Sequence, residues 1–132
     1  MTKTLSNLYV GHGEATILKN AKQLVRRGWC QHAWARDAKG NSIDWTREEA
    51  VEFCPRAAVQ RAAKDMQLQD YKALRFLEKA LKKITGRAAV CDWCDQAGRT
   101  KKDILGLFTE AEKLAKEEGK GKKPLLEVKQ HA

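Results

Sequence analysis

In four separate stretches of this chain, apolar residues recur at steps of three and four, and a glycine or a capping residue marks a boundary of each. That period belongs to a helix that buries one face and keeps the other in water. Four such segments within 132 residues oblige the chain to pack helix against helix around one shared core. The expected fold is mainly α, a compact bundle of four to five helices with a short β-hairpin after the first helix.

The first segment is expected over about Glu14 to Arg27, with Ile17, Leu18, Ala21, Leu24 and Val25 inward and Gly28 as the stop. Trp29 to Arg36 alternates in the manner of an extended stretch, and Asp37-Ala38-Lys39-Gly40-Asn41 is turn chemistry. A small hairpin with the residues around Ile43 follows from that. Thr46-Arg47-Glu48-Glu49 reads as a capping box that opens the second helix. Its inner face would be Ala50, Cys54, Ala57, Ala58 and Ala62, with Pro55 kinking or splitting it. The third helix is expected over about Gln69 to Thr85, with Tyr71, Leu74, Leu77, Leu81 and Ile84 inward and Gly86 as its stop. The last runs from Lys101 to about Glu118 on Ile104, Leu107, Phe108, Ala111, Leu114 and Ala115. Residues 1–118 then form one helical domain, led in by a loose first dozen residues. Residues 119–132 have the Gly-Lys-Pro composition of a flexible basic tail.

No apolar run approaches the roughly 18 residues that a bilayer span requires, and no signal-peptide core is visible. A cytoplasmic location without membrane contact is the expectation, and there four cysteines read as thiols or metal ligands rather than disulfides. The formal net charge of +9 favours nucleic acid, phosphorylated ligands or acidic protein surfaces as partners.

The densest chemistry lies in Cys91-Asp92-Trp93-Cys94-Asp95-Gln96-Ala97-Gly98-Arg99-Thr100. Cys91-x2-Cys94 has the spacing of half a zinc knuckle, and Cys30, His32 and Cys54 are the residues that would complete it. No second C-x2-C or H-x3-H exists, so a zinc-stabilised domain on Cys30, Cys54, Cys91 and Cys94 stands as an alternative only, and no cofactor is expected. The same segment reads more simply as a helix entrance. Thr100 is the N-cap, Asp103 faces the positive end of the helix, Asp95 pairs with Arg99 or backbone amides, and Trp93 packs beneath. Arg99, Thr100, Lys101 and Lys102 would also make that entrance an anion cradle.

Three pieces of the chain carry a family resemblance. They are Arg27-Gly28-Trp29-Cys30-Gln31, Phe53-Cys54-Pro55-Arg56-Ala57-Ala58-Val59, and Trp93-Cys94-Asp95-Gln96-Ala97-Gly98-Arg99-Thr100. Over roughly residues 14 to 117 the chain resembles an uncharacterised domain family of actinobacterial and bacteriophage proteins. That family has Gly-Trp-Cys-Gln, Cys-x-x-Gly-Ala-Leu and Trp-Asn-Asp-x-x-Gly-Arg-Thr landmarks. Ala57 stands where the family usually has glycine, and Cys94 where it usually has asparagine. The resemblance implies a shared fold and a phage or mobile-element origin, and it brings no activity.

Lys72, Arg75, Lys79, Lys82 and Lys83 fall within one arc of the third helix, opposite its leucines, with Arg61 and Lys64 as extensions. Trp29 and Trp34, near His32 and Arg36, are candidates for stacking on a base. His12 and His32 have no acid or nucleophile at a recognisable spacing, and Gly11-x-Gly13 is too little for a phosphate loop. A non-enzymatic binding protein that engages nucleic acid or a phosphorylated ligand is therefore the expected function, with antagonism of a host factor as the role if the chain is phage-encoded. A protein–protein inhibitor of a host defence or nucleic-acid-handling complex is the competing expectation.

Overall fold

A computed structural model describes residues 12–120. The lead-in through Gly11 and the basic tail beyond Lys120 lie outside the described residues. Among the described residues five helices and a small sheet follow one another: α1 (His12–Arg27), β1 (Ala35–Arg36), β2 (Ser42–Ile43), β3 (Glu52–Phe53), α2 (Pro55–Asp65), α3 (Tyr71–Thr85), α4 (Val90–Cys94) and α5 (Lys101–Lys120). The expected helix-dominated fold with a hairpin after the first helix is what forms.

The core sits where α1, α3 and α5 meet, with α2 on the other side of α1. Phe108, Ile104 and Leu107 of α5 are fully buried, as are Ile17 and Leu18 of α1 and Leu77 and Leu81 of α3. Helices α1 and α5 run antiparallel. Near one end the Lys101 ammonium donates to the Arg26 carbonyl at 2.9 Å, and further along Lys22 Nζ donates to Thr109 Oγ1 at 2.7 Å. Buried Ala57, Ala58, Ala62 and Ala63 make α2 a thin-walled helix, so its backbone approaches its neighbours closely.

Two sequence expectations need correcting. Thr46 opens no helix, because its hydroxyl and amide both donate to Asp44 Oδ1, at 2.7 and 2.8 Å. Arg47 pairs with Glu49 at 3.3 Å, and the chain leaves this turn into β3 rather than into a helix. Helix α2 begins at Pro55, which serves as the first helical residue and causes no kink. Its cap is Cys54, whose sulfur accepts the Ala57 amide at 3.4 Å. The second correction concerns α3. Its buried face is Ala73, Phe76, Leu77, Ala80 and Leu81, while Tyr71 and Ile84 are 51% and 53% exposed. Two alanines let α3 settle closely on its neighbour, and this rotates the buried face away from the one the large residues alone would define.

The sheet has the order β2-β1-β3, with Ala35 opposite both Ile43 and Phe53. On the far side of β3, residues 28–30 run parallel to it, joined by Phe53 N–H to Gly28 O at 3.0 Å and Cys30 N–H to Phe53 O at 3.2 Å. The chain therefore climbs one side of β3, arches over its end through residues 31–34, and descends as β1. Gly28 is required by this closeness, not by a left-handed φ. A Cβ there would stand 2.2 Å from the Val51 carbonyl oxygen. Gly28→Ala should lower stability by about 1–3 kcal/mol, the usual cost of forcing extra atoms into a packed site. Urea denaturation should show the midpoint falling with an unchanged slope.

Candidate functional site

Helix α3 carries the cationic face. Its register sets Ala73, Phe76, Leu77, Ala80 and Leu81 inward and leaves Lys72, Arg75, Lys79, Lys82 and Lys83 on the opposite side, all exposed. Lys83 is engaged, with Nζ 2.9 Å from Glu110 Oε2, a hydrogen bond that raises its pKa. Among the described residues Lys72, Arg75, Lys79 and Lys82 form no ion pair. The Lys72 and Lys79 ammonium groups lie 6.0 and 5.4 Å from the ring centroids of Tyr71 and Phe76, which line them along the helix. Arg61 does not extend this face. It reaches back under the β2–β3 connection, donating to the carbonyls of Trp45 and Arg47 at 2.9 Å each, and pairs with Asp65. Lys64 is exposed at the end of α2.

The entrance to α5 is internally complete. Thr100 and Asp103 cap each other: the Asp103 amide donates to Thr100 Oγ1 at 3.2 Å, and the Thr100 amide donates to Asp103 Oδ2 at 3.1 Å. Arg99 stacks 4.0 Å above the Trp93 ring, donates to Trp93 O and Gln96 Oε1, and pairs with Asp103 at 3.6 Å. Lys101 turns away to cap the end of α1, and Lys102 is exposed. Of the partners the sequence offered Asp95, Arg99 or backbone amides, it takes an amide, that of His32 in the distant 31–34 segment, at 2.9 Å.

The cysteines are free thiols, and the structure gives three of them local partners. Cys54 caps α2. Cys94 accepts the indole N–H of Trp29 at 3.3 Å, and Cys30 donates to Ala33 O at 3.6 Å. Burial, first among the causes, pushes Cys30, Cys54 and Cys94 up to about 12, so each stays a neutral S–H at physiological pH. Half-buried Cys91 is raised too, again mainly by burial, although the Arg56 guanidinium opposes the shift. Among the described residues, no three histidine, cysteine, aspartate or glutamate side chains are arranged to hold a metal ion. The four-cysteine zinc set considered from sequence is therefore not assembled.

A second feature includes Trp34, which the sequence singled out for stacking, and the nearby His32, but its other walls had no sequence signal. Beneath the arch of residues 31–34 opens a cleft of about 470 Å³, lined by His32, Trp34, Ser42, Cys54, Cys91 and Asp95. It brings together strand, loop and α4 residues separated by up to 63 positions, which no motif spacing records. Trp34 is 51% exposed at its edge, whereas Trp29 is packed against the core and spent on Cys94.

Residues 12–114 match the family described as Family of unknown function (DUF6197), and the chain belongs to that family. No curated protein and no solved structure matches it. No helix among the described residues is long and apolar enough to cross a membrane.

Two measurements check this chemistry. Alkylation of the folded protein should label Cys91 first, with Cys30, Cys54 and Cys94 protected until denaturant is added; peptide mass spectrometry reads the order. The backbone bond from Thr100, first among the causes, holds the Asp103 carboxyl below its ordinary 3.8. A lowered folded-state pKa stabilises above the unfolded value and is lost as the pH falls through the folded one. Asp103→Asn should therefore melt below the parent at neutral pH, and the gap should close as the pH falls below 3.8.

Proposed function

We propose that this family member is a nucleic-acid-binding protein that holds the phosphate backbone along the outer face of α3, without reading sequence. The observation that carries this reading is the group of Lys72, Arg75, Lys79 and Lys82, exposed on one face and without a carboxylate partner among the described residues. Neighbours of like charge three and four residues apart destabilise a helix by a few tenths of a kcal/mol per pair. Here the buried face of α3 supplies the stability that such repulsion removes. A line of phosphates would relieve it.

The dimensions agree with a polyanion. Lys72 to Lys82 spans about 15 Å of helix axis, whereas duplex DNA carries a phosphate charge about every 1.7 Å. Four cations over that length suit a polymer better than a single phosphate. A net charge of +9 draws the same ligand from a distance. Lysine ammoniums are point charges on flexible stems, suited to contacting phosphate rather than distinguishing base edges.

The test is a binding titration with a mixed-sequence duplex over a range of salt concentrations. Four phosphate contacts predict that log K falls against log salt with a slope of about −3.6. The fourfold variant Lys72→Glu, Arg75→Glu, Lys79→Glu and Lys82→Glu should weaken binding at low salt by roughly a hundredfold or more while leaving the melting temperature nearly unchanged. Unchanged affinity in that variant, or a slope near zero, would overturn the reading.

A further inference from the structure

The cleft under the 31–34 arch is a built cavity with unused recognition chemistry, and it is separate from the cationic face of α3. Its walls are set at the sheet. Ala35 stands opposite Ile43 and Phe53, and the wall residues Trp34, Ser42 and Cys54 are the chain neighbours of these three. The Cys54 amide donates to Trp34 O at 2.9 Å, which fixes the tryptophan above the cysteine that starts α2.

The roof is held open by design of the backbone rather than by filling. His32 sits at φ 62°, a conformation that costs a non-glycine residue and persists only where its surroundings enforce it. They do so here. Asp95 accepts the His32 amide, Gln31 Nε2 donates to the carbonyls of Cys94 and Gln96 at 2.7 and 3.1 Å, and Arg36 Nη2 donates to Gln31 O at 3.1 Å. The arch is strapped to the end of α4 and cannot settle onto the sheet.

What lines the space selects a ligand class. The cavity, about 470 Å³, falls within the roughly 300–1,000 Å³ of small-molecule sites. Trp34 offers an exposed π-face, and the Cys54 thiol beside it is neutral and poorly nucleophilic. The Ser42 hydroxyl, the His32 imidazole and the Trp34 indole N–H have no hydrogen-bond partner among the described residues, and Asp95 Oδ2 is likewise unused. A phosphate is disfavoured because Asp95 is the charged group in the wall and the nearby Arg36 guanidinium is taken up by Gly40 O and Gln31 O. A quaternary ammonium is disfavoured as well, since one tryptophan makes no aromatic cage.

We infer that this cleft binds a neutral purine base or nucleoside, stacked on Trp34, with the amino edge of the ring donating to Asp95 and the Ser42 hydroxyl completing its contacts. A flat ring with a donor edge uses the Trp34 face, the free Asp95 oxygen and the Ser42 hydroxyl at once. No bond is made or broken, so the site is one of recognition.

The experiment titrates guanosine and adenosine into the full chain and follows the tryptophan indole N–H resonances, with the Trp34 signal assigned through Trp34→Phe. The Trp34 signal should move saturably with at least one of the two, and the buried Trp93 signal should stay in place. Trp34→Ala should weaken binding roughly tenfold or more, and Trp34→Phe, which keeps a stacking face, should retain most of it. Asp95→Asn keeps an oxygen for the His32 amide but loses the carboxylate, so it too should weaken binding while circular dichroism stays unchanged. The fourfold glutamate variant of α3 should bind nucleoside as the parent does, which separates this site from the proposed nucleic-acid face. No saturable movement of the Trp34 signal with either nucleoside would overturn the proposal. So would movement with choline instead, or nucleoside binding that disappears with the α3 charges.

Discussion

Phe53 holds this molecule together through its backbone as much as through its ring. Its amide and carbonyl join residues 28–30 on one side, its strand pairs with β1 on the other, and its side chain is buried in the core. Three stretches of chain meet at one residue. That junction is possible only because Gly28 has no side chain where the Val51 carbonyl passes. Once the two flanks of β3 are fixed, the residues between them must cross its end in a short arch. The left-handed His32, the bond to Asp95 and the space beneath follow from that crossing.

Much of the helical frame was legible because it rests on local period and local stops. The first and last helices lie where Ile17 to Val25 and Ile104 to Ala115 place them, and Gly86 ends α3 with φ 81°. Failures came where a local signal competed with a longer-range one. Thr46 and Glu49 have the spacing of a capping box, but Asp44, two residues upstream, takes the threonine first. Pro55 looks like an interruption only if the helix starts at Thr46; with the start at Pro55 it is the first helical residue. On α3 the large residues drew attention from Ala73 and Ala80, which decide which face lies against the core. Short strands of two residues have too few positions to show alternation, so β3 left no trace.

The candidate sites divide in the same way. A row of cations on a helix is visible from spacing alone, since a helix fixes which residues share a face. Their freedom from partners is not, and here it separates Lys82 from Lys83, adjacent in sequence but unlike in environment. Of the cysteine pair of α4, the most chemical feature of the sequence, Cys94 serves as an acceptor for Trp29, while half-buried Cys91 lines the cleft.

The antiparallel pairing of α1 with α5 gives the molecule a polarity. Arg26 and Lys101 meet at one pole, and the Trp29–Trp34 arch and α4 are attached there, directly after α1 and directly before α5. Positions 12 and 120 lie at the opposite pole, about 20 to 30 Å away along the helix axes. A bulky group attached at position 12 or 120 would therefore sit far from the arch, which makes those two positions suitable handles for immobilising the protein with its cleft still accessible.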